Sequence, residues 1–460
     1  MLRFKRRFAA AAEREGADMR IWKFSAGLAA AVLFAARAQA VPAFAVQTGQ
    51  PCSACHVGGF GPQLTPFGRQ FKLEGYTLRA GDSFTLPLSA MAVASYVHTQ
   101  ANQAEPPAPR YGTNDNTTID QISAFVAGGI GEHFGAFTQW TYDGVGRAFA
   151  WDNVDLRATT HETLDGNDLL LGLSFNNSPG VEDVWNTLSA WGFPYTGSDL
   201  APGPDAGTVI DGVLAQGVLG TTAYAYWNSS LYTEAGIYWT PSHGFLRAMG
   251  VNPADSGILN GVAPYLRLAY QKDYGDQNFE IGAYALFSDL FPGADMSTGT
   301  TDNYRDIGID ASYQFMGDST NVYTLNTRFT HESQDLNATF LLGGAANRHD
   351  ELNDFRIDAA YSWNSMLGGT VAAFDTWGSQ DSLLYGEDRT LMPDSSGLIF
   401  QVDYTPFGGP GAPLEGRLNL RVGAQYTLYT KFNGASSNYD GSGRNASDNN
   451  TLRLFLWVAL

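Results

Sequence analysis

The chain of 460 residues is poor in cysteine, in histidine and in charge of either sign. Two cysteines exclude a disulfide framework. Charged residues make up only 16%, and the basic ones are the scarcer: 27 Lys and Arg stand against 46 Asp and Glu. That balance excludes nucleic acid and anionic lipid as natural partners and favours cations or a basic redox protein, although most of the carboxylates need serve only as soluble surface. Beyond residue 45 there is no apolar run of the roughly 20 residues that a membrane-spanning helix requires.

Both cysteines fall in one pentapeptide, Cys52-Ser53-Ala54-Cys55-His56. Cys-x-x-Cys-His is the attachment pattern of a c-type haem. Two thiols three positions apart can each form a thioether to the porphyrin, and the adjacent imidazole can ligate the iron, so Cys52 and Cys55 are the expected anchors and His56 the proximal ligand. A zinc site would need another Cys or His nearby, and outside the motif none occurs between Gly49 and Val97. A redox Cys-x-x-Cys belongs on a strand-to-helix junction, whereas this one lies in a short Gly/Pro-rich segment.

The motif follows an export signal. Met19-Arg20-Ile21-Trp22-Lys23 is a basic start, Phe24 to Phe34 an apolar core, and Ala38-Gln39-Ala40 a small-x-small cleavage site. Translation starting at Met19 fits this pattern. Cleavage after Ala40 and cleavage after Ala45 both satisfy the rule. Residues 1–45 are therefore read as leader and signal peptide. Without them the chain keeps 19 basic and 43 acidic residues, a net charge of −24.

The remainder reads as all-β. Gly 52, Phe 28, Tyr 22 and Trp 10 accompany segments of alternating apolar and polar residues at Thr85 to Val97, Ile119 to Gly129, Phe134 to Tyr142, Val154 to Thr160 and Leu169 to Phe175, with more to the end of the chain. An outer-membrane barrel needs such strands, joined alternately by long outer loops and short periplasmic turns. Long connections are expected at Thr99–Asn116, Asp143–Asn153, Asn177–Gly220, Pro241–Val262, Asp289–Asp302, Ser333–Asp350, Ser379–Ser395 and Asn433–Asp448. Short ones are expected at Gly131–His133, His161–Asp168, Asn228–Ser230, Tyr274–Gln277, Met316–Ser319, Asn364–Leu367 and Gly408–Gly411. The count closes at about sixteen antiparallel strands if Asn337 to Gly343 is assigned to an outer loop. In the last strand Leu452, Leu454, Leu456, Val458 and Leu460 share the lipid-facing side. Residues 84–460 thus form the expected transmembrane barrel. Residues 46–83 form a haem segment too short to enclose a porphyrin alone, and so are expected to plug the barrel at or inside its periplasmic mouth.

The run Gln47-Thr48-Gly49, the pentapeptide, Pro62-Gln63-Leu64-Thr65-Pro66-Phe67-Gly68-Arg69 and Phe71-Lys72-Leu73-Glu74-Gly75-Tyr76 resembles the haem segment of the fused monohaem cytochrome-porins of the bacterial outer membrane. The best-studied members of that family are Fe(II) oxidases of iron-oxidising bacteria. The resemblance implies one covalent haem c on Cys52, Cys55 and His56, with Pro62, Leu64, Thr65, Phe67 and Gly68 forming a turn and packing. It further implies an outer-membrane route that takes electrons from an extracellular donor, foremost Fe(II), to a periplasmic cytochrome c or similar carrier, as in an iron:cytochrome c reductase.

The distal ligand is open. Met91 and His98 are the nearest downstream candidates, each more simply a packing or lumen residue, and His133, His161, His243, His331 and His349 are scattered. Asp381, Glu387, Asp388 and Asp394 on one expected outer loop offer hard oxygens to a cation, against the plainer reading of a solvated loop. A different class of function fits the same barrel: a haem-plugged diffusion porin or sensor with no iron-oxidising role.

Overall fold

Alternation builds the wall. In the computed structural model, which describes residues 42–81, 87–409, 411 and 418–460, the strands are β1 (Leu88–Thr99), β2 (Asn116–Ile130), β3 (Phe134–Asp143), β4 (Ala148–Leu164), β5 (Asn167–Asn176), β6 (Leu219–Trp227) and β7 (Leu231–Trp239). They continue as β8 (Ile258–Leu259), β9 (Ala263–Tyr274), β10 (Gln277–Phe291), β11 (Asp302–Phe315), β12 (Asn321–Asp335) and β13 (His349–Trp363). The last are β14 (Leu367–Gly378), β15 (Ser395–Tyr404), β16 (Asn419–Lys431) and β17 (Thr451–Ala459). The two-residue β8 only extends the edge of β10. The other sixteen pair antiparallel with their neighbours, and β1 closes on β17 from Met91↔Ala459 to Thr99↔Thr451. Closure leaves no edge strand, as a membrane barrel requires.

The two faces differ in kind. On β11 Ile307 and Ile309 are 56% and 60% exposed on the outside, while Asp306 and Asp310 on either side of them are 0% and 3% exposed within. On β17 Leu454 faces outward, while Arg453, Phe455 and Trp457 are buried inside. Aromatic rings band the outside near the short turns, with Phe279 and Tyr313 at 4.7 Å and Tyr323 and Tyr361 at 4.9 Å. A second band toward the long connections includes Trp140 with Phe149 at 5.9 Å and Phe329 with Trp377 at 6.0 Å. An apolar belt between two aromatic girdles is the lipid-facing surface of an outer-membrane barrel.

Three connections differ from the reading of the sequence. The long loop expected at Asp143–Asn153 is the four-residue turn 144–147. The Asp143 carboxylate accepts from Val145 N at 2.8 Å and Gly146 N at 3.0 Å, closing the turn early and lengthening β4 to 17 residues. The connection at His161–Asp168 shrinks to Asp165-Gly166, both with positive φ, which is the hairpin geometry that continues strand twist. The short turn expected at Gly408–Gly411 instead spans residues 405–418 between the end of β15 and the start of β16. Asn337–Leu341 is a short helix on the β12–β13 connection, outside the wall. The first strand is described from Leu88; Met19, Ala40 and residues 82–86 lie outside the described residues.

The connection 177–218 starts and ends at the outer rim, but its middle turns inward. Leu188, Val209, Ile210 and Leu214 are buried against Tyr238, Tyr265 and Leu286 of the inner wall. Val209 N donates to Glu332 Oε2 at 2.6 Å and Ile210 N to Asp306 Oδ2 at 2.7 Å. An apolar patch on an otherwise polar inner wall needs a cover, and this insert supplies it.

Candidate functional site

The pentapeptide forms its own turn. Pro51 precedes the short helix Cys52–Cys55, whose end is closed by His56 N donating to Cys52 O at 2.9 Å. The chain then doubles back, so that Val57 N meets Gln63 O at 3.0 Å and Thr65 N meets Cys55 O at 2.9 Å. Thr65 caps the helix Pro66–Leu73 by accepting from Gly68 N at 3.1 Å, with Pro66 at the first helical position, where its missing N–H costs nothing. This helix lies so close to the motif that a Cβ on Gly68 would stand 2.2 Å from Cys55 O. Thr65 and Gly68 thereby acquire a physical role: one starts the helix and the other lets it touch the cysteines.

The barrel holds this segment from several sides. Arg421 on β16 donates to Gly58 O at 2.9 Å and Phe60 O at 2.6 Å, and Asn419 to Gly59 O at 3.0 Å. Gln314 on β11 donates to Leu64 O at 3.2 Å. Across the lumen, Arg157 on β4 donates to Lys72 O at 3.0 Å and Tyr224 on β6 to Leu73 O at 2.7 Å. From above, the inserted connection meets it: Leu64 N donates to Asn186 Oδ1 at 3.0 Å, and Lys72 Nζ donates to Val181 O and Asp183 O, both at 2.7 Å. Phe44, within the helix Pro42–Thr48, stacks on Tyr76 at 5.3 Å and meets Phe71 edge-on at 4.8 Å. Cleavage after Ala40 would keep this ring, and cleavage after Ala45 would remove it.

The motif's chemistry can be tested for fit to a haem. The two thiols are not disulfide-bonded and are partly exposed. Burial, then the neighbouring Cys52, pushes the Cys55 thiol up to about 12. A redox-active Cys-x-x-Cys has the opposite shift. Burial lowers His56 to about 4, opposed by a hydrogen bond with the Gly61 backbone and reinforced by the Arg421 charge, so the imidazole is neutral, the form that binds a metal. The Gly61 backbone holds the ring while its Nδ1 is buried with no hydrogen-bond partner. One nitrogen oriented by backbone and one bare is the division that a metal-ligating histidine uses. Beside the motif, Ala54 borders a cavity of about 270 Å³ that Phe67, Asp276 and Gly317 also line, opening at the periplasmic turns. These residues fit the group.

The distal candidates separate. Met91 points inward beside Phe60 and Trp457, and its sulfur accepts from Trp457 Nε1 at 3.3 Å. His98 lies seven residues further along β1, about 23 Å away at the usual rise per residue, with Nδ1 2.8 Å from Asp115 at the outer rim. Of the two, only Met91 comes near the haem segment. His161 instead ties that segment to the wall, its Nε2 2.8 Å from Glu74 and its Nδ1 2.8 Å from Asp168.

The acidic outer connection is built differently from a cation site. Asp381 is buried and accepts from the backbone N–H groups of Ala346, Asn347, Leu383 and Leu384 at 2.7–2.9 Å. Asp394 pairs with Lys431 at 3.2 Å. Glu387 and Asp388 belong to the same connection, and among the described residues no three His, Cys, Asp or Glu side chains converge as a metal site.

Sequence reading missed the charged inner wall altogether. Arg267 lies 2.8 Å from Asp310, 3.4 Å from Asp183 and 3.6 Å from Glu280. Arg328 bridges Asp211 at 2.6 Å and Asp354 at 3.0 Å, and Arg453 meets Asp120 at 2.8 Å. The signal was present in the polar positions alternating with Ile and Leu, but which charges pair depends on register across strands.

Fold and outer surface together define a sixteen-stranded outer-membrane β-barrel of porin architecture. No protein-family model matches the sequence, and no curated protein matches it. Among solved structures the chain is similar to OprB of Pseudomonas putida, with 11% identity and a TM-score of 0.46 over 81% of this chain and 93% of that one. It is also similar to the anion-selective porin of Comamonas acidovorans (11%, TM-score 0.41, 81% and 98%) and to the outer-membrane channel DcaP of Acinetobacter baumannii (9%, TM-score 0.43, 83% and 100%).

Proposed function

We propose that this barrel is an outer-membrane electron-transfer protein. In this reading it takes electrons from an extracellular donor, foremost Fe(II), and delivers them to a periplasmic carrier such as a cytochrome c. Cys52 and Cys55 hold a single haem c, and His56 ligates its iron. The haem, when bound, supplies a one-electron carrier. The chain's own part is to anchor and shield it. Arg421 and Asn419 fix the loop after His56 by its carbonyls, Gln314 and Tyr224 fix the following helix, and burial keeps the imidazole unprotonated.

The observation that carries the reading is the barrel wall's grip on the turn after the pentapeptide, where Arg421 and Asn419 hold the carbonyls of Gly58, Gly59 and Phe60. His56 is partly buried, with its bare ring Nδ1 wholly so, beside a lumen whose wall residues Asp155, Arg157, Arg267 and Asp310 are themselves at most 3% exposed. In an open diffusion channel those charges would face water. A second reading, a haem-plugged diffusion porin or sensor, draws on a polar cavity of about 250 Å³ higher in the lumen, lined by Asp211, Arg328, Arg356 and Asp358.

The test is stopped-flow absorbance of the oxidised, detergent-purified protein mixed with Fe(II) under anaerobic conditions. Fast reduction of a covalently bound haem, lost in His56→Ala, is the expected result. A haem that dithionite reduces and Fe(II) does not would overturn Fe(II) as donor. Absence of covalent haem from protein matured in a host that attaches c-type haem would overturn the whole reading.

A further inference from the structure

Several buried carboxylates of the lumen, Asp155, Asp183, Glu280, Asp310 and Asp354, have an arginine beside them. Asp306 on β11 and Glu332 on β12 do not. They stand directly opposite each other in register, 0% and 1% exposed, with carboxyl groups close enough to hydrogen-bond. Among the described residues no Lys, Arg or His lies within 4.0 Å of either. Two adjoining carboxylates in a desolvated place repel unless a positive charge lies between them.

The oxygen inventory narrows what that charge is. Ile210 N occupies Asp306 Oδ2 and Val209 N occupies Glu332 Oε2, so the inserted connection fixes both groups. Gln334, two residues along the same face and 6% exposed, donates its amide to Glu332 Oε1 at 2.5 Å. Asp306 Oδ1 and Gln334 Oε1 are buried with no partner. A proton shared by the two acids would relieve their repulsion but leave the Gln334 oxygen bare, and an unmet buried acceptor costs about 1–3 kcal/mol. A hard divalent cation takes carboxylate and amide oxygens together.

We propose that Asp306, Glu332 and Gln334 form a divalent-cation site on the inner wall of the outer half of the barrel, closed by the backbone of Val209 and Ile210. Asp306 is four positions along from the start of β11 at Asp302, so the site lies roughly 13 Å below the outer rim. Its ligands are oxygens only, two of them anionic, so it selects hard or borderline divalent ions over soft ones. The site needs neither haem nor electron transfer, and its test uses neither.

The test is Mn(II) titration of the full, detergent-purified protein, with free Mn(II) counted by its EPR signal. The wild type is expected to bind one Mn(II) per chain at this site. Asp306→Asn and Glu332→Gln are each expected to weaken that binding at least about tenfold, because each removes a ligand charge. Asp440→Asn, on an outer loop, is expected to leave it unchanged. Heat-modifiable migration on SDS gels reports whether each variant still folds as a barrel. Should a substituted protein fold and bind Mn(II) as the wild type does, or the wild type bind none, the proposal is overturned and the pair shares a proton instead.

Discussion

Arg421 holds the carbonyl oxygen of Phe60 at 2.6 Å, and its guanidinium lies 4.9 Å from the centre of the Phe60 ring. A side chain on a wall strand thus grips the loop that follows the Cys52–His56 pentapeptide by backbone and ring together. The same guanidinium faces Asp403 at 3.5 Å.

Arg421→Met should therefore do more than loosen a loop. It leaves the Gly58 and Phe60 carbonyls without a donor, and the Asp403 carboxylate without its cation though Gln401 Nε2 still donates to it at 3.0 Å, a loss of about 3–5 kcal/mol for breaking such a buried pair. The expected result is a lower urea midpoint. Arg421→Met/Asp403→Leu should recover part of it, because the uncompensated charge is then gone.

Gly68→Ala places a methyl group 2.2 Å from Cys55 O. Either the helix Pro66–Leu73 or the motif must shift, at about 1–3 kcal/mol. Haem staining of denaturing gels should show reduced covalent attachment, whereas Gly244→Ala, where nothing lies within 4 Å of the added carbon, should not alter attachment.

Lys72 links the two bodies that fill the lumen, through Val181 O, Asp183 O and the face of Trp191 at 4.5 Å. In planar bilayers the wild type should conduct far less than an open porin. Lys72→Met, which leaves the Asp183 carbonyl unmet at about 1–3 kcal/mol while Val181 O keeps Trp191 Nε1 at 2.8 Å, should show frequent openings. A wild type with steady, wide conductance would favour the diffusion-porin reading.

Asp381 predicts a pH dependence. Despite the opposing pull of burial, four backbone N–H groups hold its carboxyl below the ordinary value of 3.8. A depressed folded value means that its contribution is fully present above the unfolded value and is lost as pH falls through the folded one. The connection 379–394 should stay anchored to residues 346–347 at neutral pH and become protease-sensitive only in acid below about pH 4. Asp381→Asn should be cleaved there at pH 7.

The sequence by itself determined the wall and the motif. A period of two is local: Ile307 and Ile309 face lipid because Asp306, Gly308 and Asp310 alternate with them, and sixteen such segments can be counted without knowing which strands pair. Cys52, Cys55 and His56 are adjacent in the chain, so their shared chemistry needs no fold to be visible. Turn lengths were legible only where no side chain intervened, and the Asp143 cap turned an expected loop into a tight turn. What the tertiary structure alone decided is the lumen. That Arg421 would meet Phe60, that Asn186 would reach Leu64 and that Asp306 would face Glu332 without an arginine all depend on contacts between residues 26 to 361 positions apart. Such contacts follow from register and barrel closure, which no local pattern encodes. The inward fold of residues 177–218 belongs with them, because an outer loop and a lumen insert have the same ends and differ only in which apolar surface they cover.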